Sequence, residues 1–166
     1  MLSLMSKQSL QTRFEKWVIG IQADLLAYAS SILGNHDMAL DVTQEALMQT
    51  FRQLRQGRDI TSWKSYTYAV LRRFAIRQRQ SQHQQKPMSA QDLQAIYATS
   101  QPAWRDDFEH LMHHLNDFKP DLKEIVVLKA MNSLTFKEIS EITGTPMQTV
   151  VSKYKSAITQ LKSKLN

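Results

Sequence analysis

Gln148, Thr149, Val151, Ser152, Lys153 and Lys155 fall within eight residues near the end of the chain. Amide, hydroxyl and ammonium groups at that density suit hydrogen bonding to, and neutralisation of, a polyanion. From Pro146 to the last residue there are four lysines and no acidic side chain. A second basic stretch, Ile60 to Gln91, holds six Lys and Arg and again no acid. It contains Tyr66, Arg72, Arg73, Arg77 and Arg79. A one-sign helical face with aromatics near its start is a surface for single-stranded nucleic acid, since bases stack on rings and guanidinium planes. The competing reading of both stretches is a solvated charged face.

Other residue types that could do chemistry are not arranged to do it. His110 and His114 lie four apart, with Glu109 and His113 beside them, a spacing that can chelate a metal. No third ligand stands at motif spacing and there is no HExxH order, so a polar helix surface is the better reading. The chain has no cysteine, hence no thiolate nucleophile, disulfide framework or cysteine-based zinc site. There is no Gly-rich phosphate loop and no arguable Ser, His and Asp set. No enzyme, metal or cofactor is expected.

The elements that must position these side chains are helices. Thr135 stands three residues before Glu138, the spacing of a capping box. The helix so begun carries Phe136, Ile139 and Ile142 inward and stops at Gly144. Thr145 then caps a second helix, with Pro146 at its first position and Gln148 completing another box. Val150, Tyr154, Ala157 and Leu161 form that helix's apolar stripe. Two short helices around a tight Gly turn, the second basic, read as a DNA-binding helix-turn-helix, or as an ordinary helical hairpin with a lysine face.

Earlier in the chain, Leu10, Phe14, Trp17, Ile21, Leu25, Tyr28 and Ile32 predict a long amphipathic helix ending at Gly34. Asn35 and Asp37 can cap the next, with Leu40, Leu47, Phe51 and Leu54 inward and Gly57 at its end. Its outer side carries Asp41, Gln44 and Glu45. Thr61 or Ser62 opens a third helix with Trp63, Tyr66, Val70 and Phe74 inward. The Gln- and Ser-rich run after it reads as a linker, with a short helix around Asp92–Tyr97. Order resumes with Trp104, Phe108, Leu111, Leu115 and Phe118, and Pro120 and Asp121 open a helix bearing Leu122, Ile125 and Leu128.

Strand alternation is nearly absent, so the fold class is all-α: two small helical domains joined by a flexible linker, the second ending in a helix-turn-helix. The boundaries are 8–80, a linker over 81–103, and 104–166. A chain of 166 residues with 42% hydrophobic content supports packed cores of that size. Residues 1–91 carry twelve Lys and Arg against six Asp and Glu, whereas 92–166 carry nine of each. The front half therefore holds the whole basic surplus of +6. Neither a signal-peptide core nor a run of membrane-spanning length is visible, which points to a cytoplasmic protein without membrane insertion.

In this order the motifs resemble those of a bacterial RNA polymerase sigma factor of the extracytoplasmic-function (ECF) group, over roughly residues 20–80 and 105–164. Ala39 to Glu45, ALDVTQE, is similar to the family's AEDLVQE segment, in the helix that docks on the clamp coiled coil of the polymerase. Tyr66 to Arg77, YTYAVLRRFAIR, sits where the family has a pattern close to WLYRIARNLAID, which reads and opens the minus-ten promoter element. Leu134 to Leu161 resembles LSYxEIAxxLGVSxGTVxSRxxRAxxxL, whose second helix enters the major groove of the minus-thirty-five element. The chain departs from these patterns at Leu40, for an acidic residue, and at Arg73 and Arg77, for Asn and Asp. Val151 and Ser156 stand where family members often carry Arg.

The resemblance implies a dissociable polymerase subunit that directs core RNA polymerase to promoters and helps open them. Asp41, Gln44 and Glu45 would meet the polymerase. Tyr66, Arg72, Arg73, Arg77 and Arg79 would meet melted DNA, and Gln148 to Lys155 duplex. The partners would be core RNA polymerase and promoter DNA, with an anti-sigma protein as a further one. Two rivals are a stand-alone helix-turn-helix regulator and a sigma-like decoy for an anti-sigma protein.

Overall fold

The structure, a computed structural model, describes residues 2–82 and 105–165, with side chains described over 6–82 and 110–165. The expected linker, its short helix, Trp104 and the side chain of Phe108 lie outside the described residues. Seven helices are described: α1 (Leu2–Leu33), α2 (His36–Arg55), α3 (Trp63–Ser81), α4 (Arg105–Leu115), α5 (Pro120–Val126), α6 (Phe136–Thr143) and α7 (Met147–Leu165). Helix α5 runs on into one wider π turn, Val127–Met131. No strand occurs among the described residues.

The boundaries follow local chemistry. Asn35 Oδ1 accepts the Met38 N–H at 3.0 Å and starts α2. Ser62, not Thr61, starts α3, its Oγ accepting the Ser65 N–H at 3.1 Å. The box at α6 is present in both directions: Thr135 Oγ1 accepts from Glu138 N (3.1 Å) and Glu138 Oε1 from Thr135 N (3.0 Å). Gly34 and Gly144, at φ 66° and 70°, occupy the left-handed region that ends α1 and α6.

The second box does not form. The Thr145 N–H goes to Thr143 Oγ1 (3.3 Å), and its carbonyl accepts from Ser140 Oγ (2.7 Å). Helix α7 begins at Met147, one residue after Pro146, whose carbonyl accepts the first helical N–H from Val150. Two side chains of α6 thus hold the turn, and Gln148 is left exposed.

Helices α1, α2 and α3 pack as a trio. The stripe on α1 is as expected, with Phe14, Ile21, Leu25 and Tyr28 buried. On α2 the inner face is instead Ala39, Val42, Thr43, Ala46 and Thr50, while Leu40, Leu47, Phe51 and Leu54 flank it half-buried. Small inner residues let the helices approach closely enough for Thr50 Oγ1 and Thr67 Oγ1 to bond at 2.8 Å in the interior. On α3 the expected inner residue Val70 is buried, whereas Trp63, Tyr66 and Phe74 are half-buried and Thr67, Tyr68, Leu71 and Ala75 are covered.

The reason for these shifts is a second layer. Leu25 to Ser30 on α1 are buried on every side, the property of a helix segment packed all round. The trio covers one side, and the π turn after α5 covers another. Leu115, Ile125 to Leu128, Leu134, Ile139, Val150 and Leu161 continue the same apolar core through the rear helices.

Candidate nucleic-acid interface

Helix α7 presents Gln148, Ser152 and Lys155 as an exposed stripe, at four- and three-residue steps, opposite buried Val150, Ala157 and Leu161. Thr149 and Val151 border the stripe half-buried. Lys153 is turned aside, its Nζ 2.7 Å from Asp121 Oδ2. That hydrogen bond holds the Asp121 carboxyl below the ordinary carboxylate range. Five of the six expected side chains therefore share one surface, and the sixth braces α7 on α5.

The basic face of α3 divides in the same manner. Arg73 and Arg77 are exposed beside an open cleft of about 510 Å³, across from Glu141 to Gly144 at the end of α6. Tyr66 is half-buried under the Arg58 guanidinium, 5.2 Å from the ring centroid. Arg72 also borders this cleft, but its guanidinium is committed to an acid. Its Nε lies 2.6 Å from Glu124 Oε1 and its Nη2 3.3 Å from Oε2, a two-point clasp between α3 and α5. Burial weighs against the Arg72 charge, but the bond and charge of Glu124 outweigh it and hold its pKa above the ordinary value. Arg79 stands near Lys123, where burial first and the Arg79 charge second lower the lysine pKa.

Glu124 was not singled out by its surroundings in sequence, yet it joins three helices. The Tyr28 hydroxyl donates to Glu124 Oε1 at 2.5 Å. Burial, then the Glu124 charge and hydrogen bond, push the Tyr28 phenol well above its usual range, so it stays a donor. Asn132 makes a second junction, donating from Nδ2 to the Asp24 carbonyl (2.9 Å) and to Tyr68 Oη (2.8 Å). Two tyrosine hydroxyls amid apolar stretches were the available signal, since a buried phenol requires a partner. Which partner it finds depends on chain segments about a hundred residues away.

On the far side of the trio, Asp41, Gln44 and Glu45 are all exposed, while Val42 and Thr43 between them are buried. Met48 and Arg52 continue the stripe, and Met48 is 61% exposed. Met48 lies seven residues after Asp41, on the same helical face, and is not among the residues that the sequence reading named. The His110 and His114 rings meet edge-on at 4.6 Å, and no cluster of three metal-ligating side chains exists among the described residues.

An all-helical chain with a three-helix front unit and a capped helix-turn-helix behind it can be compared with known proteins. The family model for sigma-70 region 2 matches residues 18–85, the span that holds the second half of α1 and all of α2 and α3. Residues 18–85 therefore match the sigma-70 region 2 family. RNA polymerase sigma factor SigV of Bacillus subtilis (strain 168) is 24% identical over 159 residues, 96% of this chain and 95% of that protein. The ECF RNA polymerase sigma factor EcfG of Rhodopseudomonas palustris (strain TIE-1) is 23% identical over 154 residues, 90% and 81% of the two chains. In the co-crystal structure of the sigma factor RpoE with the anti-sigma factor NepR from Bartonella quintana, RpoE shares the fold. The TM-score is 0.65 at 19% identity, covering 92% of this chain and 96% of that one. Sigma factors are not enzymes, and no described helix is long and apolar enough to cross a membrane.

Proposed function

We propose that the chain docks on core RNA polymerase through the outer face of α2 and places promoter DNA against α3 and α7. The observation that carries this reading is the split of α2. Within the segment that resembles the docking motif, Asp41, Gln44 and Glu45 are exposed and the residues between them are core. Met48 extends the surface with an apolar contact of the kind that interfaces bury at their centre. The front domain, 8–80, holds the clamp and the melted strand, with Arg73 and Arg77 on that strand and Tyr66, Arg72 and Arg79 around them. The rear domain, 104–166, sets Gln148, Thr149, Val151, Ser152 and Lys155 against upstream duplex, with Lys153 at the margin. The work is binding and positioning, with no catalytic step and no cofactor, and it belongs in the cytoplasm where polymerase is.

Two variants test the docking surface. Asp41→Ala with Gln44→Ala is expected to weaken binding to core polymerase by about tenfold or more while helix content and melting temperature hold. Met48→Ala is expected to weaken it further. Unchanged binding in the folded triple variant removes α2 from the interface. A chain that retains promoter binding without polymerase would instead be a stand-alone regulator.

A further inference from the structure

We propose that the cavity between the end of α1, the second half of α3 and the start of α5 binds a small phosphate ester, with Arg79 and Lys123 on the phosphate and Ser30 as a further donor. The inference goes beyond the promoter reading above and does not depend on it. The cavity has a volume of about 340 Å³, near the lower end of small-molecule sites at roughly 300–1,000 Å³. Its polar lining includes Ser30 and Ser31 of α1, Arg72 and Arg79 of α3, and Lys123 and Glu124 of α5. Ile32, Ile76, Phe118 and Pro120 add apolar lining.

Which charges are already committed decides the ligand. Of the two acids in the lining, Glu124 is held by Arg72 and Tyr28, and Asp121 by Lys153 at 2.7 Å. Arg79 and Lys123 have no ion-pair partner among the described residues. Both are half-buried, and they stand close enough that the Arg79 charge, after burial, lowers the lysine pKa. Two like charges drawn partly out of water are unfavourable until an anion joins them. A carboxylate neutralises only one of them. A phosphate monoester dianion neutralises both, offering paired oxygens to the Arg79 fork and a third to the Lys123 ammonium. A buried hydroxyl favours the same chemistry. Ser30 is 1% exposed, and its Oγ has no hydrogen-bond partner among the described residues. Buried hydroxyls ordinarily have one, and a phosphate oxygen accepts such a bond. The apolar lining leaves room for a body beyond the phosphate, so an ester fits better than the bare ion.

Calorimetric titration of the full chain with phenyl phosphate, inorganic phosphate and benzoate, at fixed ionic strength, tests the site. Phenyl phosphate is expected to bind once per chain, about tenfold more tightly than either of the others. Arg79→Gln and Lys123→Gln should each weaken it about tenfold, and Ser30→Ala severalfold. Lys162→Gln, at an exposed position on α7, should leave it unchanged. An equal loss in Lys162→Gln means general attraction to a basic surface and overturns the proposal. Inorganic phosphate binding as tightly as the ester makes free phosphate the occupant and overturns the ester. No binding of phenyl phosphate at millimolar concentration overturns the site itself. Should the variants fail to fold, amide chemical shifts of the unaltered chain decide instead. Phenyl phosphate is expected to move those of Ser31 to Gly34 and Asp121 to Glu124, and changes confined to the α7 lysines overturn the proposal.

Discussion

At Val151 and at Arg73 with Arg77 this chain differs from the pattern it resembles, and each difference has a chemical consequence. Val151 is half-exposed at the edge of the α7 stripe, so it can touch a thymine methyl but cannot read guanine with two hydrogen bonds as arginine does. Val151→Arg is expected to change the preferred upstream sequence, as judged by selection from a randomised duplex pool bound with polymerase. An unaltered preference would place Val151 off the bases. Arg73 and Arg77 are neighbours on one face, with guanidinium groups suited to stacking on bases and binding phosphates in pairs. In permanganate footprints, Arg73→Ala with Arg77→Ala should lose open complexes among those that still assemble. Weaker assembly with an unchanged open fraction would reduce the pair to phosphate attraction.

Among the elements, α6 depends most visibly on its ends. It has only eight residues, too few to hold without capping and packing. The reciprocal box with Glu138 and the left-handed Gly144 supply the two ends. Thr135→Ala should cost about 1 kcal/mol of stability, read by denaturant unfolding. Glu138 adds a pH term. Burial works to raise its pKa, but the hydrogen bonds from the Thr135 backbone and side chain, with Lys64, outweigh burial and hold it below the ordinary value. A depressed folded-state pKa gives stability that is present above the unfolded value, about 4.3, and is lost as pH falls through the folded one. Glu138→Gln should therefore flatten the fall in melting temperature on acidification, relative to the unaltered chain. The same fall in both proteins would mean other carboxylates carry it.

For the molecule as a whole, the seam between front and rear helices bears on stability. Tyr28, Tyr68 and Leu71 are fully buried, and Tyr28 and Tyr68 both contact rear-helix side chains there. Residues 1–82 produced alone are expected to melt at a lower temperature than the full chain, since the apolar surface around that seam returns to water. An equal melting temperature would mean the trio is complete without the rear helices.

Local signals were sufficient for much of this protein. Caps and stops are contacts between near neighbours, so Asn35, Thr135 with Glu138, Gly34 and Gly144 were legible in sequence and recur in the structure. Helix class and the exposed faces of α2 and α7 are of the same kind, because each needs only the 3.6-residue period. The inner faces of α2 and α3 were misassigned because size was read as depth. Close helix approach buries alanine and threonine and leaves leucine and tryptophan at the margin. The second capping box gave way to hydroxyls of α6 that reach the turn through the fold. Only tertiary structure decided that Arg72 and Lys153 are held by acids, and that Glu124 meets Tyr28. Side chains from about thirty to about a hundred positions apart have no spacing to read, and their pairing is set by which helices the core brings together.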